Sequence, residues 1–315
     1  MLSFATTLFW IMSIRKLLAY AAIYILWGGS FLAIREVVAV VPPFLAAGFR
    51  FSLAGLLLVF YSLLRGDRVC SRRQWLGAAA LGFIMFTCMY AGLFWAEIRV
   101  PSGIAAVISA MIPVWIFIGE LAILRTQKAA LLSIVGVVLG FAGVVVLTWR
   151  ASGSRAQTSA FTLMVLIAAT LCWAGGTLWS RKLTLPRPQT LNAGWQMAVG
   201  GGLLLVLSAA AGELHRMPPL DALLRPRVAI SMAYLVIAAS ILAFTAYVWL
   251  ISHDPATRVA SYAYVNPVIA LFAGALLAGE RLSPLQFIGV LLVLAGVFAT
   301  LTGKQTVPSE RKVAA

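Results

Sequence analysis

The chain is poor in charge. Only 10% of its 315 residues are Asp, Glu, Lys or Arg, against about 25% in a soluble globular domain. Acid is scarcest, with nine Asp and Glu against 24 Lys and Arg. There is too little polar surface to cover a water-soluble globule. Histidine and cysteine are also sparse. His215, His253, Cys70, Cys88 and Cys172 show no metal-ligand or disulfide spacing, and the cysteines read as free thiols. No nucleophile–base pair and no phosphate-cradling loop appears. The expectation is a protein that is not an enzyme and carries neither cofactor nor metal.

What the chain has is apolar length. It is 62% hydrophobic, with a mean hydropathy of +0.99. A membrane span needs about 20 predominantly apolar residues. Ten such runs are predicted, at 17–34, 43–64, 74–95, 101–124, 129–149, 160–180, 190–211, 228–250, 256–279 and 284–303. They are long and continuously apolar, which predicts helices rather than the short alternating strands of a barrel. Their linkers are too short to hold a soluble domain. The predicted fold class is an all-α integral membrane protein.

The spans come twice. Trp27-Gly28-Gly29-Ser30-Phe31 returns as Trp173-Ala174-Gly175-Gly176-Thr177, 146 positions later. Pro101, Ala106, Pro113 and Val114 return as Pro255, Ala260, Pro267 and Val268, 154 positions later. Five spans per copy is an odd number, so the second copy crosses the bilayer in the opposite sense. Two inverted five-helix repeats form the architecture of secondary transporters, with the substrate path between them. The expected units are 14–149, 160–303 and a cytoplasmic tail at 304–315.

The net charge of +15 raises nucleic acid as a partner, but placement argues against it. With the N-terminus inside, the cytoplasmic ends carry Arg15, Lys16, Arg65, Arg68, Arg72, Arg73, Arg125, Lys128, Arg181, Lys182, Arg187, Arg258, Lys304, Arg311 and Lys312. The outer ends carry only Arg35, Arg99, Arg150, Arg155, Arg216, Arg225, Arg227 and Arg281. This bias follows the positive-inside rule and puts both termini in the cytoplasm. The basic residues face anionic lipid headgroups. Residues 1–13 are apolar yet too short to span, and translation starts at Met12 or residues 1–11 lie along the membrane surface.

Some residues inside the spans invite chemistry. Pro113 and Pro267 each remove a helix hydrogen bond and either shape a cavity or make a static bend. Tyr262 and Asn266 share one helix face, and Asn266 meets either a substrate or a neighbouring helix. Aromatic stripes run along Tyr20, Tyr24, Trp27 and Phe31, and along Phe83, Thr87, Tyr90 and Phe94, with Thr170, Trp173 and Thr177 on a third. They are packing, or the lining of a site for amphipathic molecules. Arg50, and Gln196 at the 146 offset, are polar at depth. Arg50 either snorkels to the outer interface or serves as a gate or anion contact. Glu120 is placed to pair with Arg125, while Glu97 and Glu280 sit at outer span ends. Glycines at 136, 140, 200–202, 289 and 296 suit close helix contacts.

Taken in order, several motifs resemble a known family. They are the Trp-Gly-Gly-Ser of span one, Arg50-Phe51, Val100-Pro101-Ser102-Gly103-Ile104-Ala105-Ala106, and Pro113. To them belong Ser261-Tyr262-Ala263-Tyr264-Val265-Asn266-Pro267 and Gly279-Glu280-Arg281-Leu282 with Gly289. Over nearly its whole length the chain resembles the EamA-type branch of the drug/metabolite transporter superfamily. The resemblance implies a polytopic inner-membrane carrier, often an exporter of metabolites, amino acids or toxic compounds, with a cavity lined by spans one, three, four, six, eight and nine. Gly279-Glu280-Arg281 has no counterpart in the first half, where Arg125, Thr126 and Gln127 align.

The residues expected to line the cavity are Trp27, Tyr90, Trp173, Tyr262 and Asn266, with Pro113 and Pro267 setting its shape. The expected function is alternating-access transport of a small molecule. A channel and a lipid-acting membrane enzyme are the alternatives, though neither the charge rings of a pore nor clustered acids and histidines are present.

Overall fold

Long apolar segments leave the backbone no polar partner but itself, and the structure resolves this with helices throughout. The computed structural model describes residues 2–67, 70–99, 105, 108–124, 131–148, 159–278 and 284–302. Among the described residues there are helices and turns and no strand. Helix α1 is Leu2–Gly28 and α2 is Ser30–Val38. Helix α3 is Pro43–Leu64 and α4 is Arg72–Glu97. Helix α5 is Ile112–Gly119, continued by a π-helical turn over Glu120–Leu124. Helix α6 is Leu131–Thr148, α7 is Ala160–Ser180 and α8 is Gln189–Ala210. Helix α9 is Pro226–His253, α10 is Ala256–Val259, α11 is Tyr262–Ala278 and α12 is Pro284–Thr302.

Among the described residues six segments are long and apolar enough to cross a membrane: Ile14–Val38, Pro43–Leu64, Arg72–Glu97, Ala160–Ser180, Gln189–Ala210 and Pro226–His253. Shorter apolar helices cover Ile112–Ala122, Leu131–Val146 and Phe287–Thr300. Leu56, Phe60, Val206, Ile237, Leu291 and Phe298 project outward and are exposed. In water such a belt would drive aggregation, and in a bilayer it meets lipid. This is a multi-pass membrane protein. Residues 2–13 continue α1 as helix and do not form a separate surface segment. Pro101, Ala106, Arg125, Glu280, Arg281, the 150–158 linker and the 304–315 tail lie outside the described residues.

Glycine sets the closest helix contacts. Along α3 and α8, Gly48 meets Leu205, Ser52 meets Gly201, Gly55 meets Ala198 and Val59 meets Gly194. Partner numbers fall as those of α3 rise, so the two helices are antiparallel. A Cβ on Gly48 would stand 2.9 Å from Leu205 N, and one on Gly194 2.9 Å from Val59 N. Gly194 lies 146 positions after Gly48 and Leu205 lies 146 after Val59, so the seam maps onto itself when the helices are exchanged. Helices α6 and α12 repeat the pattern, with Gly136 against Thr300, Gly140 against Gly296 and Gly143 against Val293. Small residues let backbones touch where lipid gives no hydrophobic drive.

Two of the long helices carry a widened turn. Gly82–Cys88 in α4 and Leu235–Leu242 in α9 are π-helical, and the two stretches begin 153 positions apart. A π-turn inserts one residue, shifts the helix face and frees carbonyls. This overturns part of the aromatic stripe expected on α4: Phe83 points outward and Phe86 takes its place in the core. Pro113 also departs from expectation. It does not kink a continuous helix but stands in the first turn of α5, after a turn at Ala110-Met111. That position needs no amide donor. Pro267 does lie inside α11.

Candidate functional site

Gly29 joins α1 to α2 with helical dihedrals, its amide donating to the Ile25 carbonyl at 3.1 Å, and Gly28 lets α1 approach Ile269 of α11. Trp27, at the end of α1, therefore faces the bundle centre. Its Nε1 donates to the carbonyl of Ala239, 2.8 Å away. That carbonyl belongs to the π-turn of α9, where one helix bond is missing. Around Trp27 stand Tyr262 with ring centroids at 4.5 Å, Tyr247 at 5.3 Å and Trp173 at 5.7 Å. Tyr90 lies 6.1 Å from Trp173. Offset and edge-on rings at these distances attract each other.

These rings enclose a cavity. It is lined by Trp27 of α1, Ser30, Phe31 and Ile34 of α2, Met89, Tyr90 and Leu93 of α4, and Ile112 of α5. Ser109, Trp173 of α7, and Tyr262, Ala263 and Asn266 of α11 complete the wall. All five residues expected to line a site stand in this one wall. Two of its buried polar atoms have no protein partner, Trp173 Nε1 and Asn266 Oδ1. A buried group left without a partner costs about 1–3 kcal/mol. The wall is thus largely apolar and aromatic, with no charged side chain among the described residues and with polar atoms of Tyr90, Trp173, Tyr262 and Asn266 in it.

Below Trp27 the end of the cavity is shut by polar contacts. Tyr24 OH and Ser261 Oγ are 2.7 Å apart. One turn lower, Tyr20 OH donates to Asp254 Oδ2 at 3.2 Å. Lys16 Nζ reaches Asp254 Oδ1 at 2.9 Å and Arg258 Nη1 lies 3.8 Å from the same oxygen. Arg181 Nη2 donates to the Asp254 carbonyl at 2.6 Å. Beside them Glu120 accepts from the amides of Ala256 at 3.0 Å and Thr257 at 3.1 Å, and from the Thr257 hydroxyl. It caps α10 and faces Arg181 Nη1 at 3.9 Å. An acid at a helix N-terminus satisfies free amides and meets the positive end of the dipole. Glu120 is 1% exposed and is fully engaged here. Its expected partner Arg125 lies outside the described residues.

Arg50 does not snorkel. It is 1% exposed, and its Nε donates to Ser240 Oγ at 2.9 Å. Its guanidinium carbon lies 4.6 Å from the Phe51 ring centroid and 5.7 Å from that of Tyr90. Gln196 is buried too, donating to Asn192 Oδ1 at 2.8 Å. Cys70, Cys88 and Cys172 are free.

Sequence reasoning missed the Asp254 cluster, because Lys16 and Asp254 are 238 positions apart and each looks like a loop residue. It also missed Tyr247, Phe86 and Phe244, which complete the ring cluster. Only the turn widened in α4 brings Phe86 inward.

Comparison with known proteins agrees with this architecture. The model of the EamA-like transporter family matches residues 14–149 and 160–302. The "Uncharacterized inner membrane transporter YedA" of Escherichia coli K12 is 34% identical over 96% of this chain and 97% of its own length. A "Probable amino-acid metabolite efflux pump" of the same organism is 24% identical over 89% of this chain and 93% of its own. A solved structure titled "Crystal structure of protein" superposes with a TM-score of 0.73, at 19% identity. It covers 91% of this chain and 96% of that one, a likeness of fold.

Proposed function

This chain belongs to the EamA-like transporter family, and we propose that it is a secondary transporter whose two inverted five-helix halves, 14–149 and 160–303, rock about the aromatic cavity. Its named relatives are transporters and efflux pumps, not enzymes. The cargo is a small metabolite, amino acid or drug-like molecule, moved outward across the inner membrane. Both termini and the 304–315 tail are cytoplasmic, and lipids surround the rest. Trp27, Tyr90, Trp173, Tyr262 and Asn266 contact the cargo. Pro113 starts the helix that presents Ile112 to it, Pro267 shapes α11 beside it, and Arg50 is a gate or an anion contact.

One observation carries the reading: among the described residues the cavity is walled by both halves, and contacts between the halves help to shut one end of it. Lys16, Tyr20, Tyr24 and Glu120 come from the first half, and Asp254, Thr257 and Ser261 from the second. A carrier needs such a closure, one that forms on one side and releases when the other forms. The exchange-symmetric seams of α3 with α8 and of α6 with α12 support the inverted arrangement, because equivalent helices are antiparallel there.

The test is export from cells that overproduce the protein, read as metabolites inside and outside, followed by counterflow of the identified cargo in proteoliposomes. Trp27→Ala and Asn266→Ala are expected to lower transport at least about tenfold while the protein remains inserted and abundant. Wild-type transport by both variants overturns the site. Flux without counterflow overturns the carrier mechanism.

A further inference from the structure

Arg50 is buried without an ion-pair partner. Its one hydrogen bond goes to a neutral hydroxyl, that of Ser240, and its Nη1 has no protein partner. Among the described residues no carboxylate lies within ion-pair distance of it. Glu97 is the acid whose charge acts on it. It stands at the end of α4 with its own Oε1 unpartnered and also feels Arg35. A charge taken out of water and left unpaired is costly in the membrane interior. A side chain placed for packing alone would be paired or uncharged.

Position says what this charge serves. The guanidinium carbon lies over the Tyr90 ring, 5.7 Å from its centroid, and Tyr90 is one of the residues that line the cavity. Trp173, next along the same wall, offers its unpartnered N–H. No charged side chain lines the cavity among the described residues, and Arg50 sets a positive field beside it, next to Tyr90. In a low-dielectric site such a field acts over several ångströms. It attracts an anionic group to the Tyr90–Trp173 side and repels a cation.

We infer that the cavity selects molecules with a carboxylate or comparable anionic group on an apolar or aromatic body, and that Arg50 sets this preference. The inference rests on the proposed transport cavity and names the class of its cargo. Arg50 acts through the field and through Tyr90. It is a specificity-determining residue.

Three probes of nearly one shape test this: phenylacetate, phenylacetamide and 2-phenylethylamine, which are anionic, neutral and cationic. Binding to the purified full-length protein in detergent is measured by calorimetry. The acid is expected to bind at least tenfold tighter than the amide, and the amine more weakly than either. Arg50→Gln is expected to erase the advantage of the acid, with the melting temperature in detergent reporting that the variant is folded. Arg50→Lys should retain most of the advantage. An amide that binds wild-type protein as tightly as the acid overturns the inference, whatever the variants do. So does an Arg50→Gln protein that keeps the preference. If the amide binds as well as the acid and Trp173→Ala abolishes both, the charge inference fails and the cavity stands. If none of the three binds, both fall.

Discussion

At Trp27 one indole joins three parts of the molecule. Its ring touches Trp173 and Tyr262, and its N–H holds the freed carbonyl of Ala239. Trp27→Phe keeps a ring and leaves that carbonyl unpaired. The expected loss is about 1–3 kcal/mol, read as a fall in melting temperature in detergent. Glu120 offers a second test. Removing its carboxylate strands the amides of Ala256 and Thr257 and leaves Arg181 with only its bond to the Asp254 carbonyl among the described residues. Glu120→Ala is expected to cost about 3 kcal/mol, and Glu120→Gln less, because an amide oxygen still caps. Trp27, Trp173, Tyr262 and Asn266 were readable from spacing and from the repeat offset. Asp254 was not. A lone acid between apolar runs gives no sign that it will be buried under a lysine from the other end of the chain.

At the scale of the helix, glycine divides into contacts and bystanders. A Cβ on Gly55 would enter the backbone of Ala198, and one on Gly201 that of Ser52. Gly175 and Gly202 have open space around them. Gly55→Ala and Gly201→Ala are each expected to cost about 1–3 kcal/mol, the usual range for overpacking. Gly175→Ala and Gly202→Ala should leave the melting temperature unchanged or raise it slightly, since alanine is the better helix former. Helix positions were legible within a few residues from hydropathy. The widened turns in α4 and α9 were not, since hydropathy is blind to which carbonyl an amide selects. The misplaced Phe83 followed from that. The start of α5 at Ile112 was equally hidden, because a proline marks a break without saying on which side the helix survives.

For the molecule as a whole, the polar cluster at the foot of the cavity predicts how closure responds to charge. Asp254 gathers Lys16, Tyr20 and Arg258 around one carboxylate. Asp254→Asn removes the charge and keeps the shape. The expected outcome is faster labelling of a Ser261→Cys thiol by a water-soluble maleimide, in a background where Cys70, Cys88 and Cys172 are replaced. Unchanged labelling would mean that packing, not charge, holds this end shut. The duplication was visible in the sequence at once. How the copies fit together was not, because the motifs that repeat say nothing of which glycine faces which neighbour.

That fit restricts the kind of motion open to the protein. Each glycine of the α3–α8 joint receives a bulkier residue or bare backbone from across, at four successive stations. Displacing one helix along the other by a turn would drive Val59 and Leu205 out of their notches and into solid main chain. The joint is keyed against sliding, so if the proposed transport cycle keeps this seam, its halves turn about it as about an axle.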